Sequence, residues 1–167
     1  MIIIGIDPAL TNTGWGIINY STEDNKISFV ADGTIATNPK DTLQDRLKYI
    51  HENLQLIINK YHPTDCAIEE SFVNTNARTS LKLGMARGAI ILSFSINNIS
   101  VCEYTPRAVK QTISGSGRAD KNQVEAMVKI LLPGCKVPHS EHSADALAIA
   151  ITHIHSNAAY NRLLKNN

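Results

Sequence analysis

The N-terminal part of the chain alternates between short apolar runs and turn-forming segments. Residues 2–6 form a fully apolar run rich in β-branched side chains, which is typical of a buried strand. The turn-rich segment 8–14 follows, and a polar turn at 23–25 separates two further apolar segments, 15–20 and 27–35. The pattern therefore predicts three antiparallel strands joined by short connections.

Beyond the third predicted strand, apolar residues recur at steps of three and four positions. This spacing predicts an amphipathic helix whose apolar face contains Leu43, Leu47, Ile50, Leu54 and Ile57. The helix is expected to end near Pro63, because the residue before a proline is disfavoured in a helix. A buried strand at 65–69, a helix at roughly 76–96 and a strand at 99–104 are predicted next.

Capping and breaking residues indicate three more helices in the C-terminal part of the chain. Thr105 and Pro106 suit the start of the first helix, as its N-cap and first-turn residue. A glycine-rich loop at 114–117 separates it from a second helix that ends at Pro133, and the last helix begins around 140–143. The order β-β-β-α-β-α-β-α-α-α predicts an α/β fold with a mixed sheet.

Acidic residues stand where two of the predicted buried strands end. Asp7 closes the first strand and Glu69 closes the strand at 65–69. Ligands gather at the carboxyl ends of strands in open α/β sheets, and a buried carboxylate without a partner is unfavourable. His142 and Asp145 are three residues apart, so they share one face of the last helix.

Each of these residues also has a simpler interpretation when it is taken alone. Asp7 suits a turn before Pro8, Glu69 suits a solvated strand end, and His142 suits the surface of a first helical turn. The combination favours a metal site, because converging carboxylates are the hard oxygen ligands that Mg²⁺ and Mn²⁺ prefer. Two such ions, roughly 3.5–4 Å apart, can activate water and stabilise the leaving oxygen in phosphodiester cleavage. Asp7 is the expected bridging ligand because its strand should be central.

The overall composition is that of a folded soluble protein, with 43% apolar and 19% charged residues in a chain of 167. We expect a single domain at 1–157 and a polar tail at 158–167. No apolar run reaches the roughly 18 residues of a membrane span, and the N-terminus lacks the basic start of a signal peptide. We therefore predict a cytoplasmic protein. The three cysteines show no metal-binding spacing, so free thiols are expected, with Cys66 and Cys102 buried in apolar segments.

Charge is distributed unevenly along the chain although the net charge is only +1. Residues 1–70 contain five Lys and Arg against ten Asp and Glu, whereas residues 71–130 contain eight against three. Such asymmetry is consistent with a polyanion as partner. A mixed, solvated surface explains it equally well.

Five sequence blocks add a more specific signal, and they occur in order between residues 2 and 155. They are Ile4-Gly5-Ile6-Asp7-Pro8 with Thr13-Gly14-Trp15-Gly16; Ala67-Ile68-Glu69 with Phe72; the segment 80–88; Val109-Lys110-Gln111-Thr112 with Gly115-Ser116-Gly117 and Lys121; and the segment 144–150. Together these blocks resemble the bacterial RuvC resolvase family. The resemblance implies a ribonuclease-H-like fold, with a five-stranded mixed sheet flanked by helices on both faces.

The resemblance also implies an activity and its partners. The expected protein is a homodimeric, Mg²⁺-dependent endonuclease that resolves four-way (Holliday) DNA junctions by paired symmetric nicks in recombination and repair. Mn²⁺ is expected to substitute for Mg²⁺, with two ions in each active site. RuvA and RuvB are the implied protein partners. Matched residue by residue, the catalytic and metal-binding set is Asp7, Glu69, His142 and Asp145.

Contacts to DNA are expected from residues in the basic part of the chain. Lys110 and Lys121 flank the glycine-rich loop and suit phosphate contacts near the cut. Arg78, Lys82 and Arg87 are expected along or near the same groove. Each base could equally be an exposed side chain without a partner. Phe72 is expected either to stack on an unpaired base or to anchor its own loop on the core.

Two positions depart from the family pattern. Many relatives have Asp where this chain has His142, and many have Gly where it has Ala9. An imidazole can bind metal or accept a proton, so His142 is a candidate for either role. At Ala9 the methyl group could restrict the turn after Asp7, and we expect a local adjustment there.

Three other functions remain open from the residues alone. One is a different ribonuclease-H-like nuclease that acts on RNA precursors or RNA–DNA hybrids. Another is a phosphotransferase of the sugar-kinase or actin type, which would require a second domain. The third is a junction-binding protein without catalytic activity. The dimer interface is not determined by the sequence, although the helix with Gly84 and Gly88 is a candidate.

Overall fold

The computed structural model describes residues 1–70, 76–135 and 138–156. In these ranges the chain forms strands and helices in the predicted order. Their bounds are β1 Ile2–Asp7, β2 Asn12–Ser21, β3 Lys26–Ala36, α1 Leu43–Tyr61, β4 Asp65–Glu69, α2 Ala77–Ile96, β5 Ser100–Tyr104, α3 Pro106–Ser114, α4 Lys121–Leu131 and α5 Glu141–His155. The capping residues Asn76, Thr105 and Ser140 begin α2, α3 and α5, because each side chain accepts a backbone N–H of the first turn.

The described strands form one five-stranded sheet in the order β3-β2-β1-β4-β5. β1, β2 and β3 pair antiparallel, whereas β1, β4 and β5 pair parallel. The prediction of a mixed sheet is therefore confirmed. β1 lies at the centre of the sheet, and Ile6 pairs with Ile68, so the carboxyl ends of β1 and β4 lie side by side. Asp7 and Glu69 follow directly on this shared edge.

Helices cover both faces of the sheet, as expected. Alternate residues of β1 point to opposite faces. Ile3 packs in a core with buried residues of α3, α4 and α5, while Ile4 and Ile6 pack in a second core with those of α1 and α2. On α5, Ala146 and Ala150 are fully buried and their backbone atoms face Gly5 of β1. Small side chains allow this helix to lie close to the sheet.

The turn-rich segment after β1 is shorter than the sequence predicts, because β2 begins at Asn12 rather than at residue 15. Asp7 pairs with Gly14, and the Thr13 hydroxyl donates to the Ala9 carbonyl at 2.5 Å. Strand pairing therefore holds residues 12–14 in β2, although their polar and turn-forming side chains predicted a turn. Among the described non-glycine residues, a positive φ occurs only at Asn25, His62 and Asn98. The Ala9 methyl group consequently does not strain this turn.

The three cysteines are free thiols, as predicted. Cys66 and Cys135 are buried, whereas Cys102 was expected to be buried and is only partly so. None of the described helices is long and apolar enough to cross a membrane.

Glycines set the distance between α5 and the centre of the sheet. A Cβ atom at Gly5 would overlap the Ala146 carbonyl oxygen, and one at Gly14 would overlap the His142 carbonyl oxygen. Gly84 and Gly88 differ, because a Cβ placed at either position meets no heavy atom of the described chain within 4 Å, apart from the adjoining backbone of α2 itself. The first pair of glycines therefore serves helix–sheet packing inside the chain, and the second pair does not.

Gly14→Ala is expected to destabilise the fold by about 1–3 kcal/mol, because its methyl group overlaps a backbone atom that can move only with α5. The free energy of unfolding, measured by urea denaturation, checks this. Asn19→Ala on the same strand is the control and should change stability by no more than about 0.5 kcal/mol. Equal stability of Gly14→Ala and the native protein would contradict the packing described here.

Candidate active site

The predicted acidic residues converge at one edge of the sheet. Asp7 ends β1, Glu69 ends β4, and Asp145 lies in the second turn of α5. The charge of Asp7 raises the pKa of both Glu69 and Asp145, which places the three carboxylates within electrostatic reach of one another. Residues that are far apart in sequence therefore form a single acidic cluster, as expected from the strand ends.

Burial and mutual repulsion disfavour the ionised form of this cluster. Burial, followed by the charges of Asp7 and Asp145, raises the pKa of Glu69 to about 7. Burial and the charge of Asp7 raise the pKa of Asp145 to about 6. Burial also raises the pKa of Asp7, although its hydrogen bond with His142 acts in the opposite direction. The cluster thus concentrates more negative charge than its surroundings stabilise.

His142 joins the cluster through Asp7. Its Nδ1 atom lies 2.8 Å from Oδ2 of Asp7, and its backbone carbonyl lies against Gly14 of β2. This contact leaves Nε2 as the ring atom available to a ligand or a proton. The geometry is compatible with either role considered for His142, as metal ligand or as proton acceptor.

The start of α5 is tied to β3 by residues that sequence analysis did not identify. The Asp32 carboxylate accepts hydrogen bonds from the His139 amide and the Ser143 hydroxyl, both at 2.5 Å. The hydroxyls of Thr34 and Ser140 lie 2.6 Å apart. These bonds fix the first turn of α5, and with it His142. An isolated acid inside the apolar pattern of β3 was the signal that could have revealed Asp32.

Both lysines predicted near the cut lie at the cluster. Lys110 and Lys121 line a cavity of about 210 Å³ together with Glu69 and Asp145. Lys121 also forms an ion pair with the carboxylate of Glu141, a partner that the sequence did not indicate. Both lysines lower the pKa of Glu69, so their positive charges act directly on the acidic cluster.

The other predicted DNA contacts have different outcomes. Lys82 lies on a separate cavity, which it shares with His142, and Arg78 is exposed in the first turn of α2. Arg87, which was considered for the same groove, is paired with Glu103. Phe72 lies outside the described residues, and so does the tail at 158–167. The stacking role of Phe72 stays a prediction.

The donor set fits a hard divalent cation by its chemistry. Within the described residues, no three His, Cys, Asp or Glu side chains are close enough together to form a ready-made metal site. However, the carboxylates of Asp7, Glu69 and Asp145 all have raised pKa values, caused by burial and, for Glu69 and Asp145, by neighbouring carboxylates. A cation among them would relieve this repulsion and favour the ionised ligands.

Comparison with known proteins decides the family. The family model described as crossover junction endodeoxyribonuclease RuvC matches residues 3–153. The chain belongs to the RuvC family. A RuvC relative from Alkaliphilus oremlandii is 49% identical over 156 residues, covering 93% of this chain and 94% of the relative. One from Afipia carboxidovorans is 48% identical over 153 residues, covering 92% and 88%.

Solved structures agree with this assignment. RuvC from Thermus thermophilus in complex with Holliday junction substrate superposes with a TM-score of 0.84 at 32% identity, covering 98% of this chain and 96% of that chain. The yeast mitochondrial Holliday junction resolvase Ydc2 gives a TM-score of 0.66 at 14% identity, with 98% and 85% covered, which supports the fold alone. The ribonuclease-H-like fold is confirmed, and the phosphotransferase interpretation is excluded by RuvC family membership.

The raised pKa of Glu69 predicts how stability depends on pH when no metal is bound. The folded protein binds the Glu69 proton more tightly than the unfolded chain does, so this stabilisation is complete below about pH 4 and is lost as the pH rises through about 7. Glu69→Gln removes that loss. In chelator at pH 8, we expect the variant to be more stable than the native protein by about 1–2 kcal/mol. This range is smaller than the full pKa shift implies, because Glu69 is partly exposed to solvent.

Urea denaturation at pH 4 and pH 8 in chelator measures this difference. The gain in stability should be present at pH 8 and nearly absent at pH 4. Glu23→Gln, at an exposed turn, is the control and should show no pH-dependent gain. An equal effect of Glu69→Gln at both pH values would show that Glu69 is not electrostatically strained.

Proposed function

We propose that this protein is an endonuclease that resolves four-way DNA junctions by paired symmetric nicks, in recombination and repair. The observation that carries the proposal is the acidic cluster of Asp7, Glu69 and Asp145 with Lys110 and Lys121 beside it, in a chain of the RuvC family. Carboxylates that can hold cations next to lysines that can hold phosphates suit hydrolysis of a phosphodiester.

We infer that Asp7, Glu69, His142 and Asp145 hold two Mg²⁺ ions in each active site and that Mn²⁺ can replace them. When bound, these ions would supply positive charge that lowers the pKa of the attacking water and neutralises the leaving 3′-oxygen. The support is the raised pKa of Asp7, Glu69 and Asp145, since such carboxylates favour a cation. Asp7 is the natural shared ligand because it ends the central strand.

The residues of the chain itself position the substrate and its reacting groups. Lys110 and Lys121 contact phosphates beside the cut in this proposal, and the support is that they line the same cavity as Glu69 and Asp145. His142 keeps Asp7 oriented through Nδ1, and its other ring nitrogen is available for a cation or a proton.

We propose that the protein works as a homodimer with α2 as the interface. Leu81, Met85 and Leu92 are 61%, 41% and 58% exposed, which is unusual for large apolar side chains. With Gly88 they recur at helical spacing along one stripe, and Gly84 and Gly88 have open space around them. Two copies would present two active sites to two opposed strands of a junction. Partnership with RuvA and RuvB is proposed from the RuvC family alone.

Cleavage of a synthetic four-way junction tests the function. With Mg²⁺, we expect paired symmetric nicks in the junction and none in a linear duplex of the same sequence. Asp7→Asn should reduce the cleavage rate by about a hundredfold or more, since a carboxylate that holds the cations is lost. Chelator should abolish cleavage, and Mn²⁺ should restore it.

Each failure of this experiment has a specific meaning. Junction binding without cleavage in either metal would favour a junction-binding protein without catalytic activity. Equal cleavage of duplex and junction would contradict a structure-specific resolvase. Asp41→Asn, on an exposed loop, is the matched control and should cleave at the native rate.

Substitution on α2 tests the dimer. Leu92→Glu places a charge in the proposed apolar interface, so we expect a dimer to become a monomer in sedimentation equilibrium at micromolar concentration. Leu56→Glu is the matched control, because Leu56 is 68% exposed on α1 and lies outside the stripe. Dissociation by both variants, or by neither, would contradict an interface specific to α2.

A further inference from the structure

A buried arginine on α1 is held by two neutral hydroxyl groups. Arg46 is 8% exposed. Its Nε donates to the Thr37 hydroxyl and its Nη2 donates to the Thr11 hydroxyl, both at 2.9 Å. Among the ion pairs of the described residues, none involves Arg46. Its neighbours in these two hydrogen bonds are therefore neutral.

Neither of these hydroxyls compensates the charge of the guanidinium. An arginine side chain keeps its charge in a protein and carries five N–H donors, of which these bonds use two. Buried charges are normally paired, because neutral hydroxyls do not replace the charge compensation of an anion. An anionic ligand would supply what Thr11 and Thr37 do not.

Arg46 also lines a cavity that can admit such a ligand. The cavity has a volume of about 340 Å³ and is shared by Lys82 on α2, with Leu10 and Leu83 among its apolar lining. Two cations thus face one space from different helices. The apolar walls lower the local dielectric constant, which strengthens the attraction of both cations for an anion.

The position of this cavity relates it to the active site. His142 lines it as well, and Nδ1 of His142 lies 2.8 Å from Asp7. Lys110 and Lys121 line a different cavity, with Glu69 and Asp145. Cations therefore lie in two separate cavities that both adjoin the acidic cluster, as suits a DNA strand held on each side of the reacting phosphate.

We propose that Arg46 and Lys82 form a second phosphate-binding site, which holds a backbone phosphate of the cleaved strand next to the scissile one. The proposal rests on the proposed function, since the anion is a phosphodiester of the substrate. Arg46 is the buried, fixed member of the site, because Thr11 and Thr37 orient its guanidinium. Lys82 is the exposed member, which closes on the phosphate from α2.

Arg46 also supports the turn that follows Asp7, and the test must separate the two roles. The Thr37 hydroxyl donates to the Leu10 carbonyl, so Arg46, Thr37 and Leu10 form one connected group. A purely structural arginine would change folding stability and the position of Asp7. It would not change the response of the protein to the charge of one particular phosphate.

Junctions in which single phosphates are replaced by neutral methylphosphonates make this distinction. Binding is measured in chelator, which prevents cleavage, with one replacement at a time at the linkages beside the cut. For the native protein, neutralising one particular linkage other than the scissile one should weaken binding by about tenfold. Arg46→Gln should weaken binding to the ordinary junction similarly and should be insensitive to neutralisation of that same linkage.

Lys82→Gln provides the variant that keeps the buried contacts of Arg46 intact. It should lose sensitivity at the same linkage as Arg46→Gln, whereas Lys110→Gln should lose it at a different one. Both Arg46→Gln and Lys82→Gln should also reduce the slope of log affinity against log salt by about 0.9. Lys48→Gln, on the exposed face of α1, is the control and should retain the native pattern.

Two results would overturn the proposal. One is full sensitivity of both Arg46→Gln and Lys82→Gln at every linkage, which would leave Arg46 a structural role only. The other is loss of sensitivity at one and the same linkage in Lys82→Gln and Lys110→Gln, which would show that the two lysines belong to one site. If Arg46→Gln fails to fold, the Lys82→Gln and Lys110→Gln comparison still decides. Loss of junction preference over duplex in the native protein would instead contradict the proposed function.

Discussion

The close approach of α5 to the centre of the sheet is the constraint on which the site depends. α5 can lie there because Gly5 and Gly14 leave room for its backbone and because Ala146 and Ala150, which face Gly5, have small side chains. That approach places His142 against Asp7 and brings Asp145 near Glu69. A helix held farther away by ordinary side chains would leave the strand-end carboxylates without their partners from α5.

Bringing these carboxylates together works against the stability of the metal-free fold. The raised pKa values of Glu69 and Asp145 express a free-energy cost, because the ionised forms are disfavoured by burial and by one another. A site that disfavours its own charge favours any cation that compensates it. The repulsion that destabilises the metal-free site is therefore also the source of its affinity for metal. Such unfavourable electrostatics are typical of functional sites.

The sequence predicted those site residues whose positions depend on regular secondary structure. Asp7 and Glu69 could be predicted because buried strands are recognisable and parallel neighbours end at the same edge. The partners of Asp32 and Arg46 could not, because these contacts join residues 111 and 35 positions apart in the chain. The start of β2 was misplaced for the same reason, since pairing of Asn12 with Ala36 of β3 determines it and local composition does not.

The same limit applies to charge. The excess of bases in residues 71–130 suggested a polyanion partner, yet Arg87 and Lys121 are paired with Glu103 and Glu141. Conversely, Arg46 belongs to the acidic part of the sequence but lines a cavity with Lys82. Counting charges along the chain cannot separate cations that stabilise the fold from cations available to a ligand. Burial and the presence or absence of an ion pair among the described residues make that separation, and they draw attention to a residue that a search for basic segments would pass over.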